Sequence, residues 1–378
     1  MKLIHLSDLH IGKRVNEFSM IEDQKYILGQ ILNIIDETKP DGVIIAGDVY
    51  DKTTPSEEAV HLLNDFICQL AARKMKTFII SGNHDSAERL AFGAQLIGET
   101  GIHISPVYNG ETVKFTLQDD FGNVNIFMLP FIKPAHVRRY YPDAEIITYT
   151  DAVRVAVENM NVDTAERNII VTHQFVTGAQ GSDSEEKSLG GSDNVEVNVF
   201  DCFDYVALGH IHGPQRMTRD TVRYCGTPLK YSFSEADHKK SVTIVEMGEK
   251  GNVEISTVPL VPLRDMRIVK GTYNEIAHRA NYQHTNTDDY IEIVLIDEED
   301  IPDAIGRLRV IYPNIMSLKY DNKRTAHNQE IGAAENVEEK QPIELFAELY
   351  QLQNNQSMTD QQYSFMQQLI EKIWEDKE

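Results

Sequence analysis

Four short blocks of ligand-type residues, each directly behind a run of β-forming apolar residues, constrain this chain more than any other feature. They are Asp8-Leu9-His10 after KLIHL, Gly47-Asp48 after GVIIA, Gly82-Asn83-His84-Asp85 after KTFIIS, and Gly209-His210-Ile211-His212 after YVAL. A lone histidine, His173, follows NIIVT in the same way. Ligand-type residues gathered beyond the carboxyl ends of neighbouring strands are the usual site geometry of an open α/β sheet. The spacing predicts that Asp8 and His10 alternate on one extended segment and face the same side. Gly47 permits a tight turn in front of Asp48.

The rest of the chain reads as alternating strand and helix. Ile27, Leu28, Ile31, Leu32 and Ile35 recur at helical spacing over about 20–37, and a second helix is expected over 56–73 with Ser56 as its N-cap. Further strands are expected at 113–117, 125–129, 168–172, 205–208 and 242–246, with fewer helices between them. That pattern predicts an α/β (α+β) fold, a two-sheet β-sandwich flanked by helices. Residues 178–194 are rich in Gly, Ser, Asp and Glu and read as a long surface loop close to His173.

Character changes near 262. Residues 263–320 read as a small α+β accessory domain, with strand-like MRIVKG, YIEIVLI and SLKYD and helical stretches at 274–280 and 301–311. A polar, acidic linker is expected over 321–340, then a helical segment over 341–378. Ile343, Phe346 and Tyr350 share a face of its first helix, after Pro342. Thr359 and Gln362 have the spacing of a capping box at the start of the second, with Met358 and Tyr363 as a hydrophobic staple. Two amphipathic helices behind a linker need something to bury against, either their own globular body or a partner.

The residue types explain the chemistry. Carboxylates, an amide oxygen and imidazoles together suit two divalent cations about 3.5–4 Å apart that share a bridging carboxylate. Asp48 suits the bridge, and Asn83 offers a carbonyl oxygen without adding charge. Such a pair activates water against a phosphate ester. His5, His61, His103, His136, His238, His278, His284 and His327 lack a patterned neighbourhood and read as core or surface residues.

The order DxH, GD, GNHD, H, GHxH resembles the calcineurin-like metallophosphoesterases over roughly residues 1–260. Further stretches are more specific: Asp48-Val49-Tyr50-Asp51, Thr172-His173-Gln174-Phe175, the run from Asp204 to Gln215, and the run Tyr224-Cys225-Gly226-Thr227-Pro228-Leu229-Lys230-Tyr231-Ser232-Phe233-Ser234-Glu235. These resemble the bacterial SbcD-type nuclease subunits, which are similar to the Mre-type double-strand-break nucleases. The resemblance implies Asp8, His10 and His212 on one cation, Asn83, His173 and His210 on the other, and Asp48 between them. It implies His84 as the group beside the scissile phosphate and Asp85 as a group orienting His84 or its loop, with Asp51 behind the ligands. Manganese is the implied metal. An SbcC-type coiled-coil ATPase is the implied partner, gripped by the tail helices in a heterodimer that pairs into a heterotetramer. Self-association through the nuclease domain belongs to the same picture. The implied activity is ATP-dependent double-strand exonuclease and single-strand or hairpin endonuclease action on DNA, in repair, recombination and replication. This chain has no GxxxxGK[ST] sequence, so ATP would bind elsewhere.

Bulk properties set the remaining bounds. A chain of 378 residues with 41% hydrophobic and 25% charged residues has room for two or three domains and a sizeable core. No apolar run is long enough for a membrane span. Three cysteines without a CxxC pair predict a reduced, cytoplasmic setting with the thiols as small core residues. The net charge of −23 runs against nucleic-acid binding in general, since phosphate contacts need Lys and Arg. Part of that excess sits in residues 321–378, with 12 acidic and 5 basic side chains, and bound divalent cations offset carboxylates locally. Lys133, Arg138 and Arg139 are the candidate DNA contacts. A phosphodiesterase or phosphatase acting on small nucleotides or phosphoproteins would use the same metals, but needs neither accessory domain nor tail. A non-catalytic scaffold would not need His84.

Overall fold

The computed structural model describes residues 1–185, 193–322 and 358–375, together with positions 343, 346, 347 and 350. The expected linker, apart from 321 and 322, and most of the first tail helix lie outside the described residues. The chain divides into two compact units. The larger comprises Met1–Ile268, Thr287–Glu292 and Asn314–Ser317; the smaller comprises Val269–Asn286, Ile293–Pro313 and Leu318–Glu378.

The larger unit is built on two six-stranded sheets. In chain order the strands are β1 (Lys2–Leu6), β2 (Gly42–Ala46), β3 (Lys76–Ile80), β4 (Ile102–Ile104), β5 (Val113–Asp119), β6 (Gly122–Leu129), β7 (Arg167–His173), β8 (Tyr205–Gly209), β9 (Gln215–Arg216), β10 (Val222–Tyr224), β11 (Ser241–Met247) and β12 (Val253–Pro259). The first sheet has the order β12-β11-β1-β2-β3-β4 and the second β9-β10-β8-β7-β6-β5. β1, β2, β3 and β4 are mutually parallel, as are β6, β7, β8 and β10, so each sheet presents parallel carboxyl ends on one side.

Period-two alternation sorts each central strand between two cores. Leu3, Ile44, Ala46, Phe78 and Ile80 meet Val124, Ile126, Met128, Ile169, Val171 and Ala207 in the apolar layer between the sheets. The alternate residues Ile4, Val43, Ile45 and Ile79 pack outward under helices α1 (Ile21–Thr38) and α2 (Glu57–Ala72). Phe127, Ile170, Val206 and Leu208 do the same on the far side, under α3 (Tyr149–Glu158). Burial on both faces is why these strands read as unbroken apolar runs. The expected two-sheet sandwich with outer helices is what forms. Ser56 caps α2 by accepting from Ala59 N–H at 3.3 Å. The sequence pattern did not flag α3, which Thr148 and Asp151 start with a reciprocal capping box.

Beyond 262 lie three strands, Met266–Gly271, Tyr290–Leu295 and Ile315–Tyr320, in that order in a sheet. The expected helix over 274–280 is two short ones, Tyr273–Ala277 and Arg279–Tyr282, because His278 is extended and caps the second. The expected helix over 301–311 is shorter, Ala304–Leu308. The tail helix Asp360–Glu375 starts as its capping box predicts: Thr359 N–H donates to Gln362 Oε1 at 2.9 Å and Gln362 N–H to Thr359 Oγ1 at 3.3 Å. No helix among the described residues is long and apolar enough to cross a membrane. Of the three cysteines only Cys225 is a core residue; Cys68 is exposed and Cys202 half-buried, and all three are free.

Candidate metal centre

All five sequence blocks converge at the carboxyl ends of β1, β2, β3, β7 and β8. The loop after β1 runs beside the loop after β2, with Asp8 N–H donating to Gly47 O at 3.0 Å and His10 N–H to Asp48 O at 2.9 Å. Asp8 and His10 do not sit on an extended segment, as the alternation argument had it. Both are left-handed, at φ 52° and 44°. Asp48 (φ 48°) and His210 (φ 104°) share this uncommon region, so backbone strain clusters on the residues that aim into the site. The turn, rather than the pleat, directs the ligands.

The glycines ahead of Asp48 and Asn83 are there for close approach. Gly47 lies at φ 87°, and a Cβ there would stand 2.5 Å from His173 Nδ1. A Cβ on Gly82 would fall 2.1 Å from Asp48 Oδ1. Either addition displaces a ring or a carboxylate of the centre.

Asp8, His10, Asp48, His173, His210 and His212 are all buried. His10 Nε2 and His212 Nε2 stand 3.1 Å apart, and Asp8 offers a carboxylate oxygen to the same point. Asp48 Oδ2 lies 3.2 Å from His173 Nε2 and 3.7 Å from His10 Nε2. Asn83 Oδ1 lies 3.0 Å from both His173 Nε2 and His210 Nδ1. Among the described residues, three overlapping groups of side chains are each close enough together to hold an ion: Asp8 with His10 and His212, His10 with Asp48 and His84, and Asp8 with Asp48 and His173. Facing imidazole nitrogens a hydrogen-bond length apart, beside carboxylates, are a donor set that fits divalent cations.

Electrostatics point the same way. Burial pushes the Asp8 carboxyl up to about 6, against the pull of His173 and His212. Burial opposes ionisation of Asp48 too, but His173, His10 and His84 outweigh it and hold that carboxyl well below the usual range. Burial would likewise lower His173, yet the Asp48 and Asp8 carboxylates hold it up at about 9. Burial leaves His210 low, at about 3, and His10 well below its ordinary value. The Asp48 and Asp8 carboxylates thus favour positive charge in the pocket, as a site for cations does.

His84 is half-buried beside the cluster. Its backbone N–H donates to Asp48 Oδ1 at 2.9 Å, and its Nδ1 lies 3.1 Å from the Asp51 carbonyl oxygen. A carbonyl only accepts, so Nδ1 carries the proton in that bond. Asp85 staples loops together: its carboxylate accepts from Gly82, Val49 and Tyr50 N–H groups at 2.9, 3.1 and 2.9 Å. Burial, then the charge of Asp48, raises it to about 6. It orients the loop rather than the His84 ring.

Sequence reasoning missed the groups around His212. The loop at 178–194 begins beside His173, but its described residues reach His212. Ser184 Oγ is 2.5 Å from His212 Nδ1, and Glu185 Oε1 accepts His212 N–H at 2.7 Å. Lys13 pairs with Asp51 at 2.8 Å, and Tyr231 O–H donates to Leu9 O at 2.7 Å. Lys13 and Glu185 carry no pattern that would single them out; Tyr231 lies in a run noted only for its resemblance.

The family profile described as calcineurin-like phosphoesterase matches residues 1–214. A second profile, described as the type 5 capsule protein repressor C-terminal domain, matches residues 262–354. Among curated proteins, the SbcD subunit of nuclease SbcCD from Staphylococcus epidermidis is 34% identical over 324 residues, covering 84% of this chain and 85% of its own. Among solved structures, a dimetal phosphatase from Danio rerio aligns at 13% identity and a TM-score of 0.41, over 69% of this chain and 99% of its own. The protein TT1561 of Thermus thermophilus aligns at 12% identity and a TM-score of 0.39, over 68% and 98%.

Proposed function

We propose, from the premise that this chain belongs to the calcineurin-like phosphoesterases and within them to the SbcD-type nuclease subunits, that it is the manganese-dependent catalytic half of a DNA nuclease. The hydrolase class follows from the family, whose fold implies divalent metal ions. The finer assignments are our own reading. Asp8, His10 and His212 would hold one cation, Asn83, His173 and His210 the other, with Asp48 shared. The observation that carries this is the position of the Asp48 carboxylate, within 3.7 Å of ring nitrogens from both sides of the cluster. Mixed nitrogen and oxygen donors without a thiolate suit a borderline ion such as Mn²⁺. When bound, two such cations supply water activation and neutralise charge on the phosphate.

The chain's own residues then perform the following tasks. The buried walls exclude bulk water. His84 presents Nε2 toward the scissile phosphate; with a proton on that nitrogen as well as on Nδ1, it hands that proton, or a hydrogen bond, to the departing oxygen, and the ring is left neutral with Nδ1–H on Asp51 O. Asp51 O fixes that ring through Nδ1.

DNA is favoured over a small nucleotide by a groove of about 630 Å³ that starts at Asn83 and Asp85. Lys133, Arg139, Phe131 and Tyr140 also line it. The Arg139 guanidinium lies over the Tyr140 ring at 5.7 Å and Lys133 over Phe131 at 5.8 Å. Cations interleaved with aromatic rings suit the backbone and bases of a single strand. Such a local patch answers the overall acidity. Arg138 does not belong to it, since its guanidinium donates to Ile146 O at 2.9 Å.

An SbcC-type ATPase is the proposed partner, with ATP bound there and the tail helix in contact. The tail helix supports this with Phe365, Leu369 and Tyr363 exposed. Pairing into a heterotetramer would use the nuclease domain, where Phe92 and Leu96 are 86% and 82% exposed. Light scattering should find a dimer that Phe92→Glu with Leu96→Glu converts to a monomer. Three free cysteines fit a reduced cytoplasmic setting at the nucleoid.

The deciding experiment incubates the manganese-loaded chain with a DNA hairpin, a single strand and a chromogenic diester, alongside His84→Ala. Cleavage of DNA that His84→Ala removes supports the nuclease reading. Hydrolysis of the diester with no action on any DNA would transfer the protein to the small-substrate phosphodiesterases. Truncation after Lys319 should keep manganese-dependent diester hydrolysis and lose co-purification with the ATPase; retained co-purification removes the docking idea.

A further inference from the structure

The run Tyr231-Ser232-Phe233-Ser234-Glu235 lies far from the ligand blocks in sequence, and nothing above gives Glu235 a task. In the fold it is a fully buried carboxylate on the short 3-10 turn Phe233–Glu235. Its Oε2 receives the ammonium of buried Lys240 at 2.5 Å, which also donates to His212 O at 2.9 Å and Thr227 Oγ1 at 2.6 Å. Its Oε1 lies 2.5 Å from Ser184 Oγ and 3.2 Å from Tyr231 N. Ser184 Oγ in turn is 2.5 Å from His212 Nδ1.

The direction of every bond in this chain is fixed by what each group can do. A carboxylate paired to an ammonium only accepts, so the single hydroxyl proton of Ser184 goes to Glu235. The Ser184 oxygen is then an acceptor, and His212 Nδ1 must be the donor. The lone pair of that ring is thereby placed on Nε2, the atom that faces His10 Nε2 at 3.1 Å inside the cluster. Polar groups that bind the outer nitrogen of a ligating histidine set its tautomer and its orientation.

We propose that Lys240, Glu235 and Ser184 form a positioning relay that holds His212 in the Nδ1–H tautomer with Nε2 directed at the cation. This rests on the metal reading of the site given above. The serine in the loop at 178–194 is thus a working part of the cation site, and a loop that reads as surface in the sequence controls one of its two metal positions. Ser184 touches no substrate; it acts through His212.

The test measures manganese binding by calorimetry on the full chain, with Ser184→Ala and Ser184→Thr. Wild type should bind two ions. Ser184→Ala should bind one of them more weakly, by about tenfold or more, while the second ion and the thermal midpoint of the metal-free protein stay unchanged. Ser184→Thr should restore the lost affinity. A second readout uses the metal-free protein labelled with ¹⁵N-histidine, the His212 signals being assigned with His212→Gln. The His212 ring should show the Nδ1–H tautomer in wild type and a tautomer mixture in Ser184→Ala. Wild-type affinity for both ions in Ser184→Ala, or an unchanged tautomer, overturns the relay and leaves the metal reading standing. A wild-type chain that binds no manganese overturns both.

Discussion

His10 Nε2 and His212 Nε2 confront each other at 3.1 Å, with the Asp8 carboxylate beside them and His10 Nδ1 without a hydrogen-bond partner. At most one of the two facing nitrogens can carry a proton, and burial holds His10 far below its ordinary basicity. A cation between them would take a lone pair from each ring, where without one they share at most a single N–H. Burying this arrangement costs stability that an ion would return.

Manganese should therefore stabilise the fold as well as activate it. At about a hundredfold excess over Kd, binding contributes about 2.7 kcal/mol per site, a rise of roughly 5–10 °C in thermal midpoint for a unit of this size. Chelation should reverse the rise, and Asp48→Asn should abolish most of it. Calorimetric scans with and without chelator decide the matter; coincident scans would mean that the cluster holds no ion.

His84→Ala should separate chemistry from metal binding. His84 is held by its own backbone N–H to Asp48, which the substitution leaves in place, and by Nδ1 to the Asp51 carbonyl, which it removes. Loss of a general acid costs about 10²–10⁴ in rate, while the manganese-induced rise in midpoint should survive. Asp51→Asn keeps the carbonyl that orients His84 and should cost far less. Equal losses in the two variants would show that His84 acts only as packing.

How much of this was legible in the sequence depended on the kind of constraint. The strands behind the blocks were readable because burial on both faces leaves unbroken apolar runs such as Gly42–Ala46 and Tyr205–Gly209. The ligand residues were readable because each sits directly beyond such a run. Their conformation was not: period two gave Asp8 and His10 a shared face, but left-handed backbone at both residues does the aiming, and nothing in a one-dimensional pattern distinguishes the two. Ser184 and Glu235 were not legible as partners of His212, because long-range contacts between a polar loop and a short turn leave no periodic trace. The short strand Ile102–Ile104 and the edge strand Val253–Pro259 were missed for a related reason, being too short or too exposed to alternate clearly.

The groove makes a prediction about salt. Lys133→Ala with Arg139→Ala should weaken single-strand binding and reduce the slope of log affinity against log salt by about 0.7 for each phosphate contact removed. Tyr140→Ala should weaken binding without changing the slope, since stacking is uncharged. Hydrolysis of a small diester should be unaffected by all three changes. Filter-binding titrations at several salt concentrations test this, and an unaltered slope in the double variant would remove the groove from the DNA path.

His5 should make the fold sensitive to mild acid. It lies on β1, fully buried, with Nδ1 2.9 Å from the Tyr205 hydroxyl and Nε2 without a partner. Burial, then the charge of Arg223, lowers its pKa to about 3, against 6.5 for a free imidazole. Between those values the unfolded chain takes up a proton that the folded chain refuses. The stabilisation is complete above the unfolded value and erodes as pH falls toward the folded one, by up to about 1.4 kcal/mol for each pH unit. Between about pH 7 and about pH 5 wild type should lose about 2 kcal/mol to this one group. His5→Asn keeps a group facing Tyr205 but cannot titrate, so its stability should fall less over the same interval whatever its absolute value. Urea unfolding at the two pH values measures the difference. Parallel losses in wild type and variant would mean that His5 finds a proton, and a partner for it, inside the fold.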